Sequence, residues 1–459
     1  MSRRGGVAAT QRRLTRRRAL FRRPGQVVVA GFAAAIAVGT VLLLLPEARA
    51  GEGGASFLEA LFTATSAVCV TGLIVVDTPS YWSGFGEAVI LGLIQVGGFG
   101  IMTMASLLGL LISRRLGLRS RLNAAAETKS IGIGDVRTVL LGVARVSLLF
   151  EGATAVILTA RFALGYDEPL GTAAYLGVFH AVSAFNNAGF ALYSDNLLRF
   201  TTDPWICLPI AVAVIVGGLG FPVLFELRRQ ARRPNRWSLH TKITVWMTGL
   251  LLGLGTLFIT ASEWTNRATL GQLDVPGRLL AGFFQAVMPR TAGFNSLDIA
   301  EMRQGTWIGM DVLMFIGGGP AGTAGGIKVT TFAVLFFVIY AEVRGEPSVN
   351  AFDRRVDGRA QRQALTVALL AVAAVVIPTL LLVQLTRFSM DQVLFEVTSA
   401  FATVGLSTGI TADLPPFGQV VLIGLMFLGR LGPITLVSAI ALREHRRRYQ
   451  LPEGRPIIG

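Results

Sequence analysis

Cysteine, histidine and charged residues are all scarce in this chain. Its 459 residues include two cysteines, Cys69 and Cys207, and three histidines, and only 15% of them are charged. Two cysteines exclude a disulfide framework and a cysteine-based metal site. HExxH and serine-centred nucleophile motifs are also absent, so we predict that the chain is not an enzyme and has no cofactor of its own. A soluble protein is about 25% charged, which argues against a large water-soluble fold.

Long apolar segments are abundant instead. Hydrophobic residues make up 52% of the chain, and the segments 27–45, 88–112 and 364–385 are long and apolar. A helix that spans a membrane needs about 20 such residues. We therefore predict an all-α polytopic membrane protein.

The net charge of +15 is confined to a few clusters. Basic residues lie before residue 25 and at 114–121, 228–236, 344–362 and 443–448, while the connections between clusters carry mixed charge. This is the pattern of cytoplasmic loops. It predicts a multi-pass protein of the cytoplasmic membrane with both termini in the cytoplasm. The basic clusters are expected to contact lipid and not nucleic acid. The basic N-terminus and 27–45 also resemble a cleaved signal peptide, but we favour an uncleaved first span because it completes a repeat.

Four segments of the chain align without gaps. In each, a phenylalanine precedes a glycine by ten residues, and a serine–alanine pair lies between them in three of the four. The segments are 62–72 (FTATSAVCVTG), 179–189 (FHAVSAFNNAG), 283–293 (FFQAVMPRTAG) and 395–405 (FEVTSAFATVG). We call Gly72, Gly189, Gly293 and Gly405 the loop glycines. An aspartate follows each of them, at Asp77, Asp195, Asp298 and Asp413.

A second, glycine-rich element follows each loop glycine after 24 to 28 residues, at 97–100, 217–220, 317–320 and 429–432. Two signals at matched spacing indicate an internal repeat. We predict four pseudo-symmetric helix–pore-loop–helix repeats, with eight spans and four re-entrant pore loops around a central ion pathway. The outer helices fall near 27–45, 138–160, 242–260 and 364–385, each followed by a short helix and a full returning helix. We divide the chain into a basic cytoplasmic N-terminal segment (1–25), four repeats and a cytoplasmic C-terminal tail (446–459). The repeats are 26–113 (repeat 1), 114–236 (repeat 2, with a cytoplasmic loop), 237–345 (repeat 3) and 346–445 (repeat 4, with a cytoplasmic loop).

The loop glycines are candidates for a selectivity filter. Irregular backbone at membrane depth is tolerated where it lines a watery cavity, and inward-facing carbonyls can replace the water shell of a cation. Glycine adopts the positive φ that such a loop needs. The predicted carbonyl segments are Val70, Thr71, Gly72; Asn187, Ala188, Gly189; Thr291, Ala292, Gly293; and Thr403, Val404, Gly405. The alternative is four ordinary helix-capping glycines.

The ligand chemistry favours a monovalent ion. Calcium and magnesium sites usually include carboxylates, and the carbonyl segments contain no acid. The four aspartates are expected near the outer mouth, where they attract cations or cap local backbone. Potassium at the backbone carbonyls is the predicted cargo, and a carrier for another small cation or solute stays the alternative.

The segment 317–326 is a candidate gate, and we call it the gate loop. Six of its ten residues are glycine and one is proline, so no ordinary helix persists there. It does not match a nucleotide-binding P-loop, and a close helix–helix contact is the alternative. The predicted gate residues are Gly317, Gly318, Gly319, Pro320, Gly322, Gly325, Gly326, Lys328 and Arg430.

Arg430 occupies the position that a glycine holds in the other three repeats. An intramembrane charge is costly and usually functional. We predict that Arg430 bonds carbonyls of the gate loop, with an ion pair to Glu151 or Asp311 as the alternative. Lys328 has a related role or is a helix C-cap or snorkelling residue.

These motifs together resemble the Trk/Ktr/HKT superfamily of potassium transporters, and the Ktr branch above all. The motifs are TSAVCVTGL, SAFNNAGF, PRTAGFNSLD, TSAFATVGLSTG, MFIGGGPAGTAGGIKVTT and MFLGRLGPIT, and the resemblance covers about residues 26–445. It implies a homodimer with one pathway per protomer, docked on a cytoplasmic ring of nucleotide-binding regulatory subunits. It also implies a gate loop that moves on activation, transport that is often sodium-dependent, and a C-terminal tail at the dimer interface.

Overall fold

The computed structural model describes residues 24–115 and 136–432. The predicted basic N-terminal segment before residue 24, most of the 114–121 cluster and the C-terminal tail lie outside the described residues. The described helices are α1 Pro24–Leu43, α2 Phe57–Val68, α3 Thr78–Tyr81, α4 Gly84–Arg115, α5 Val136–Gly165, α6 Leu170–Phe185, α7 Pro204–Leu219, α8 Phe221–Gln230, α9 Leu239–Glu263, α10 Val275–Val287, α11 Gln304–Phe315, α12 Val329–Val343, α13 Gly358–Leu385, α14 Met390–Ala402 and α15 Pro416–Leu431.

Four helices in the described part of the chain are long and apolar enough to cross a membrane. They are Gln26–Leu43, Leu140–Gly165, Leu239–Glu263 and Gly358–Leu385, and a fifth is reached if the bent pair α7–α8 counts as one span. These four coincide with the predicted outer helices. The prediction of an all-α, multi-pass membrane protein is confirmed, whereas the count of eight spans stays a prediction.

A short helix follows each of these long helices. The short helices α2, α6, α10 and α14 have 12, 16, 13 and 13 residues, which at 1.5 Å per residue leaves each of them below the roughly 30 Å of a membrane core. Local caps begin three of them. Ser56 and Ser389 form capping boxes with Glu59 and Gln392, and the Asp274 side chain accepts from the Gly277 amide. These caps satisfy amides that a helix start leaves unpaired.

The repeats pack in a closed order. Each short helix contacts the returning helix of the preceding repeat: α6 contacts α4, α10 contacts α7, α14 contacts α11, and α2 contacts α15. The last of these contacts joins repeat 4 to repeat 1. The described chain therefore forms a ring of four units.

The returning helices differ among the repeats. In repeat 2 the helix breaks at Gly220 (φ 90°), where α7 and α8 meet at 101°, so the prediction of a full returning helix there was wrong. A Cβ at Gly220 would overlap the Pro320 carbonyl of the gate loop, and Pro222 follows within the first turn of α8. Packing against another repeat thus decides where this helix ends.

A small hairpin departs from the all-helical pattern. Strands β1 Asn350–Ala351 and β2 Arg354–Arg355 pair in antiparallel fashion. Ala351 packs in a small apolar cluster with Ile243 and Ala333. Lys242 Nζ lies 2.9 Å from the Asp353 carboxylate, and this hydrogen bond lowers the pKa of Asp353. The hairpin is thereby attached to α9 and α12.

Candidate functional site

The chain leaves each short helix through the same backbone conformation. The loop glycines have positive φ: 90° at Gly72, 70° at Gly189, 74° at Gly293 and 95° at Gly405. The residue two positions earlier is also left-handed, with φ of 55° at Val70, 60° at Asn187, 73° at Thr291 and 51° at Thr403. Left-handed backbone costs a non-glycine residue about 1–2 kcal/mol. Four such residues in register, which the sequence reasoning missed, indicate one shared loop conformation.

The four loop glycines contact one another in a closed circuit. A Cβ at Gly189 would lie 2.7 Å from the Ala292 oxygen and 2.9 Å from the Gly293 Cα. Equivalent Cβ atoms at the other three would overlap the carbonyl that precedes the next loop glycine: Gly72 faces Ala188, Gly293 faces Val404, and Gly405 faces Thr71. These contacts join the four loop glycines and the four residues that precede them into one circuit. Together with the first residue of each predicted segment, they make up the set of twelve that we call the carbonyl ring.

Most amides of these loops donate hydrogen bonds inside the protein. The Ser66 and Ser399 hydroxyls accept from the amides of Gly72 (3.0 Å) and Gly405 (3.1 Å). Repeat 3 has a valine at the equivalent position, and the Gly293 amide lies 3.5 Å from the Met288 oxygen. The serine–alanine pairs therefore fasten loop amides in repeats 1 and 4.

The carbonyls of the same loops are unpaired. None of the twelve carbonyl oxygens of the ring accepts a hydrogen bond from the described residues, and every ring residue except Gly405 is buried. Buried backbone carbonyls in proteins almost always have a partner. Twelve carbonyl oxygens without a hydrogen-bond donor are suited to bind a positively charged ligand.

Glycines also allow the returning helices to approach the ring. A Cβ at Gly97, Gly217 or Gly429 would overlap the carbonyl oxygen of Val68, Phe185 or Phe401, respectively, at the end of the short helix of the same repeat. In repeat 3, Gly317 instead faces the Gly325 oxygen within the gate loop. The first glycine of the second element is therefore needed for close helix packing.

A cavity of about 750 Å³ lies beside the ring and is lined by Gly72 and Gly405. Asp77, Asp195 and Asp298 also line it, whereas Asp413 does not. Asp77 accepts a hydrogen bond from Ser194 at 2.7 Å, and Asp195 pairs with Arg199 at 2.8 Å. Three of the four predicted aspartates thus share one vestibule.

The gate loop lies against the other side of the ring, where the short helices end. The loop connects α11 to α12, and its amides at Gly319 and Thr323 donate to the carbonyls of Gly218 (2.7 Å) and Gly217 (3.1 Å). A Cβ at Gly325 would overlap the Thr403 hydroxyl. The Thr323 hydroxyl donates to Asn187 Oδ1 at 3.0 Å. The predicted loop residues are therefore non-helical and in direct contact with the ring.

Arg430 is buried, with 3% of its surface exposed. Its guanidinium donates to the Thr323 carbonyl of the gate loop and, at 3.1 Å, to the Gly97 carbonyl of repeat 1. The alternative of an ion pair with Glu151 or Asp311 was wrong. Glu151 instead accepts hydrogen bonds from Gln95 at 3.2 Å and Asn186 at 3.2 Å. Among the described residues, the hydrogen-bond partners of Arg430 are backbone carbonyls.

Lys328 immediately precedes α12, and its ammonium donates to the Ala324 and Gly325 carbonyls. The alternative of a helix C-cap was wrong, because the residue occupies the N-cap position. Lys328 therefore links the start of α12 to the C-terminal end of the gate loop.

Sequence reasoning missed two buried charges in the aligned segments. Arg290 is 7% exposed and donates to Thr248 Oγ1 (3.4 Å) and the Gly317 carbonyl (3.5 Å). Glu396 is fully buried in α14. The available signal was their charge: they are the only Arg, Lys, Asp or Glu residues in the four aligned segments, and intramembrane charges are usually functional.

Within residues 24–115 and 136–432, no group of three or more His, Cys, Asp or Glu side chains could hold a metal ion. The donors that converge in this part of the chain are backbone oxygens. Such a set suits a weakly held monovalent cation as cargo rather than a resident metal.

Comparison with known proteins identifies the family of this chain. Residues 10–447 match the TrkH family, described as cation transport protein. The Ktr system potassium uptake protein B of Bacillus subtilis is 41% identical over 440 residues, with 95% of this chain and 97% of that protein covered. The potassium/sodium uptake protein NtpJ of Enterococcus hirae is 34% identical, with coverage of 95% and 97%.

A solved structure has the same fold. The potassium transporter TrkH from Vibrio parahaemolyticus superposes with a TM-score of 0.71 at 18% identity, covering 91% of this chain and 84% of that one. The resemblance drawn from the motifs is confirmed, and so is the prediction of a transporter rather than an enzyme. The chain belongs to the TrkH family of cation transport proteins.

Proposed function

We propose that the chain takes up potassium across the cytoplasmic membrane and that the carbonyl ring is its selectivity filter. The single observation that carries the proposal is the ring of twelve carbonyl oxygens without a hydrogen-bond partner among the described residues. Relatives that cover nearly the whole chain are a potassium uptake protein and a potassium/sodium uptake protein. A dehydrated potassium ion would satisfy these oxygens, which stand in for its water shell.

The vestibule and the ring have different roles in this pathway. The aspartates of the vestibule attract cations from outside and concentrate them at the entrance. The ring contains no carboxylate, so it does not bind divalent cations strongly enough to retain them. Short helices that end at the ring add the partial negative charge of their C-termini. The pathway is therefore selective for cations and weak enough to release them.

The gate loop closes the inner side of the filter. The contacts of the gate loop with Asn187 and Thr403 of the ring support this role. Arg430 and Lys328 bring positive charge to this loop without a carboxylate partner among the described residues, and that charge repels a cation that has passed the filter. Opening requires the loop to leave the short-helix ends.

Assembly and coupling follow the family resemblance. We propose a homodimer with one pathway per protomer, both termini in the cytoplasm, and a cytoplasmic ring of nucleotide-binding subunits that moves the gate loop. Sodium dependence is supported by the relative from Enterococcus hirae, which is a potassium/sodium uptake protein. Eight spans and four re-entrant loops complete the proposed topology.

Complementation tests the proposed function. A bacterium that lacks its own potassium uptake systems should grow at low potassium when it expresses this chain with its cognate regulatory subunit. The chain carrying glycine-to-serine changes at all four loop glycines is the control. Absence of growth with the intact chain correctly inserted in the membrane would refute potassium uptake.

A further inference from the structure

One position in the short helices is equivalent in all four repeats but differs in its residue. It directly follows the first phenylalanine of the aligned segments and is Thr63 in repeat 1, His180 in repeat 2, Phe284 in repeat 3 and Glu396 in repeat 4. The four repeats thus place four different chemistries at one equivalent site.

Glu396 is fully buried and accepts hydrogen bonds from the outgoing segment of repeat 4. Its carboxylate accepts from the Thr408 amide at 2.9 Å, from the Thr411 hydroxyl at 2.8 Å and from the Ser407 hydroxyl at 2.5 Å. These donors begin two residues after Gly405. The carboxylate therefore fixes the segment that leaves the ring.

His180 makes the equivalent contact in repeat 2 and is also fully buried. Its Nδ1 lies 2.8 Å from the Leu176 carbonyl and donates to it, so Nε2 is free to accept from the Leu192 amide at 3.3 Å. Leu192 lies twelve residues after His180, as Thr408 lies twelve residues after Glu396. We call His180 and Glu396 the bracing residues.

Repeats 1 and 3 have no such contact. Phe284 cannot accept a conventional hydrogen bond, and Thr63 makes no side-chain hydrogen bond to its own outgoing segment within the described residues. The circuit of the loop glycines runs from Gly72 to Gly189, Gly293 and Gly405 and back. Gly189 and Gly405 are therefore diagonally opposite, and the two braced loops face each other across the ring.

We propose that His180 and Glu396 are positioning residues that set the ion preference of the pathway by holding one diagonal of the carbonyl ring at a fixed width. The inference rests on the proposed filter. A ring that cannot contract keeps its carbonyls at the spacing of the larger potassium ion. Loss of a bracing residue lets the ring close around sodium.

The experiment measures rubidium and sodium uptake by proteoliposomes that contain the full chain with its regulatory subunit. Glu396→Gln keeps the shape of the side chain and removes its charge, and His180→Phe installs the residue of repeat 3. Each should lower the rubidium-to-sodium uptake ratio by about tenfold, the factor that one hydrogen bond to a charged group can supply, while total cation uptake persists.

Glu263→Gln is the matched control. Glu263 is equally buried and its carboxylate accepts from Asn266 (2.7 Å), Thr269 (2.8 Å), the Arg303 amide (3.0 Å) and Thr306. None of these partners belongs to the carbonyl ring, and Arg303 lies ten residues beyond Gly293 in the sequence. The control should retain the ratio even if its thermal stability falls.

The outcomes separate this proposal from the filter itself. An unchanged ratio in both bracing variants, alongside a changed ratio in Gly189→Ala, overturns the bracing role and leaves the filter standing. An equal change in Glu263→Gln also overturns it, because a general loss of rigidity would then suffice. Unchanged ratios in all variants, Gly189→Ala included, overturn the filter. If Glu396→Gln fails to fold, His180→Phe decides the question alone.

Discussion

Gly189→Ala should reduce the preference for potassium, because the new methyl group has no room in the carbonyl ring. Its Cβ would lie 2.7 Å from the Ala292 oxygen and 2.9 Å and 3.0 Å from the Gly293 Cα and carbonyl carbon. All three atoms are backbone of the next loop, so no side chain can rotate away. The adjoining carbonyl must move instead.

The size of the effect follows from these distances. Ordinary van der Waals contact begins near 3.4 Å, so the Ala292 oxygen must retreat by about 0.7 Å. Overpacking of this kind costs about 1–3 kcal/mol. If the cost destabilises only the potassium-bound state, each 1.4 kcal/mol changes the preference between potassium and sodium by about tenfold. We therefore expect the potassium-to-sodium uptake ratio to fall by about tenfold or more.

A variant at a second glycine distinguishes the effect of backbone strain from the effect of steric crowding. Gly345, in the turn after α12, has φ of 65° against 70° at Gly189, and a Cβ there meets nothing within 4 Å. Gly345→Ala thus carries the same cost of about 1–2 kcal/mol for left-handed alanine without any contact with the ring. Uptake of rubidium and sodium by proteoliposomes, with both variants at equal protein density, is the measurement.

An unaltered ratio in Gly189→Ala would refute the assignment of this loop to the ion pathway. A ratio that changes equally in Gly345→Ala would show that strain anywhere in the chain is sufficient. Either result would remove the reason to regard the loop glycines as a filter.

Two further changes test the gate and the packing beneath the ring. Arg430→Ala removes the donor to the Thr323 and Gly97 carbonyls and should raise rubidium flux in the absence of the regulatory subunit; an unchanged basal flux would contradict the gate. Gly429→Ala places a methyl group on the Phe401 carbonyl, whereas Gly424→Ala on the same helix meets nothing within 4 Å. We expect Gly429→Ala to lose about 1–3 kcal/mol of stability and Gly424→Ala to unfold at nearly the wild-type temperature. Equal melting temperatures for the two variants would contradict this packing.

Several features were accessible from the sequence because they are local and repeated. The outer helices are apolar over the length of a membrane core, which composition alone reveals. The loop glycines and the first glycine of each second element recur at matched spacing, which inspection of the sequence reveals without a structure. The same repetition drew attention to Arg430, since a charge replaces a small residue there.

Other features depend on neighbours from distant repeats. Gly220 belongs to a glycine-rich element whose counterpart at 97–100 lies within the unbroken helix α4, so the sequence does not locate the break. In the structure the gate loop packs against Gly220, where the helix bends. The charges of Arg290 and Glu396 are visible in the sequence, but their partners are not. The bracing role of His180 and Glu396 requires the outgoing segments to fold back onto the short helices.

The amino-acid sequence by itself determined the membrane-spanning class, the fourfold repeat and the positions at which glycine recurs, because these depend on hydropathy and on motif spacing along the chain. Only the tertiary structure decided that the four loop glycines contact one another in a circuit, that Arg430 donates to carbonyls of two other repeats, and that His180 and Glu396 accept hydrogen bonds from the segments after two opposite loops. Each of these requires atoms from separate repeats to meet, and the closure of repeat 4 onto repeat 1 brings them together.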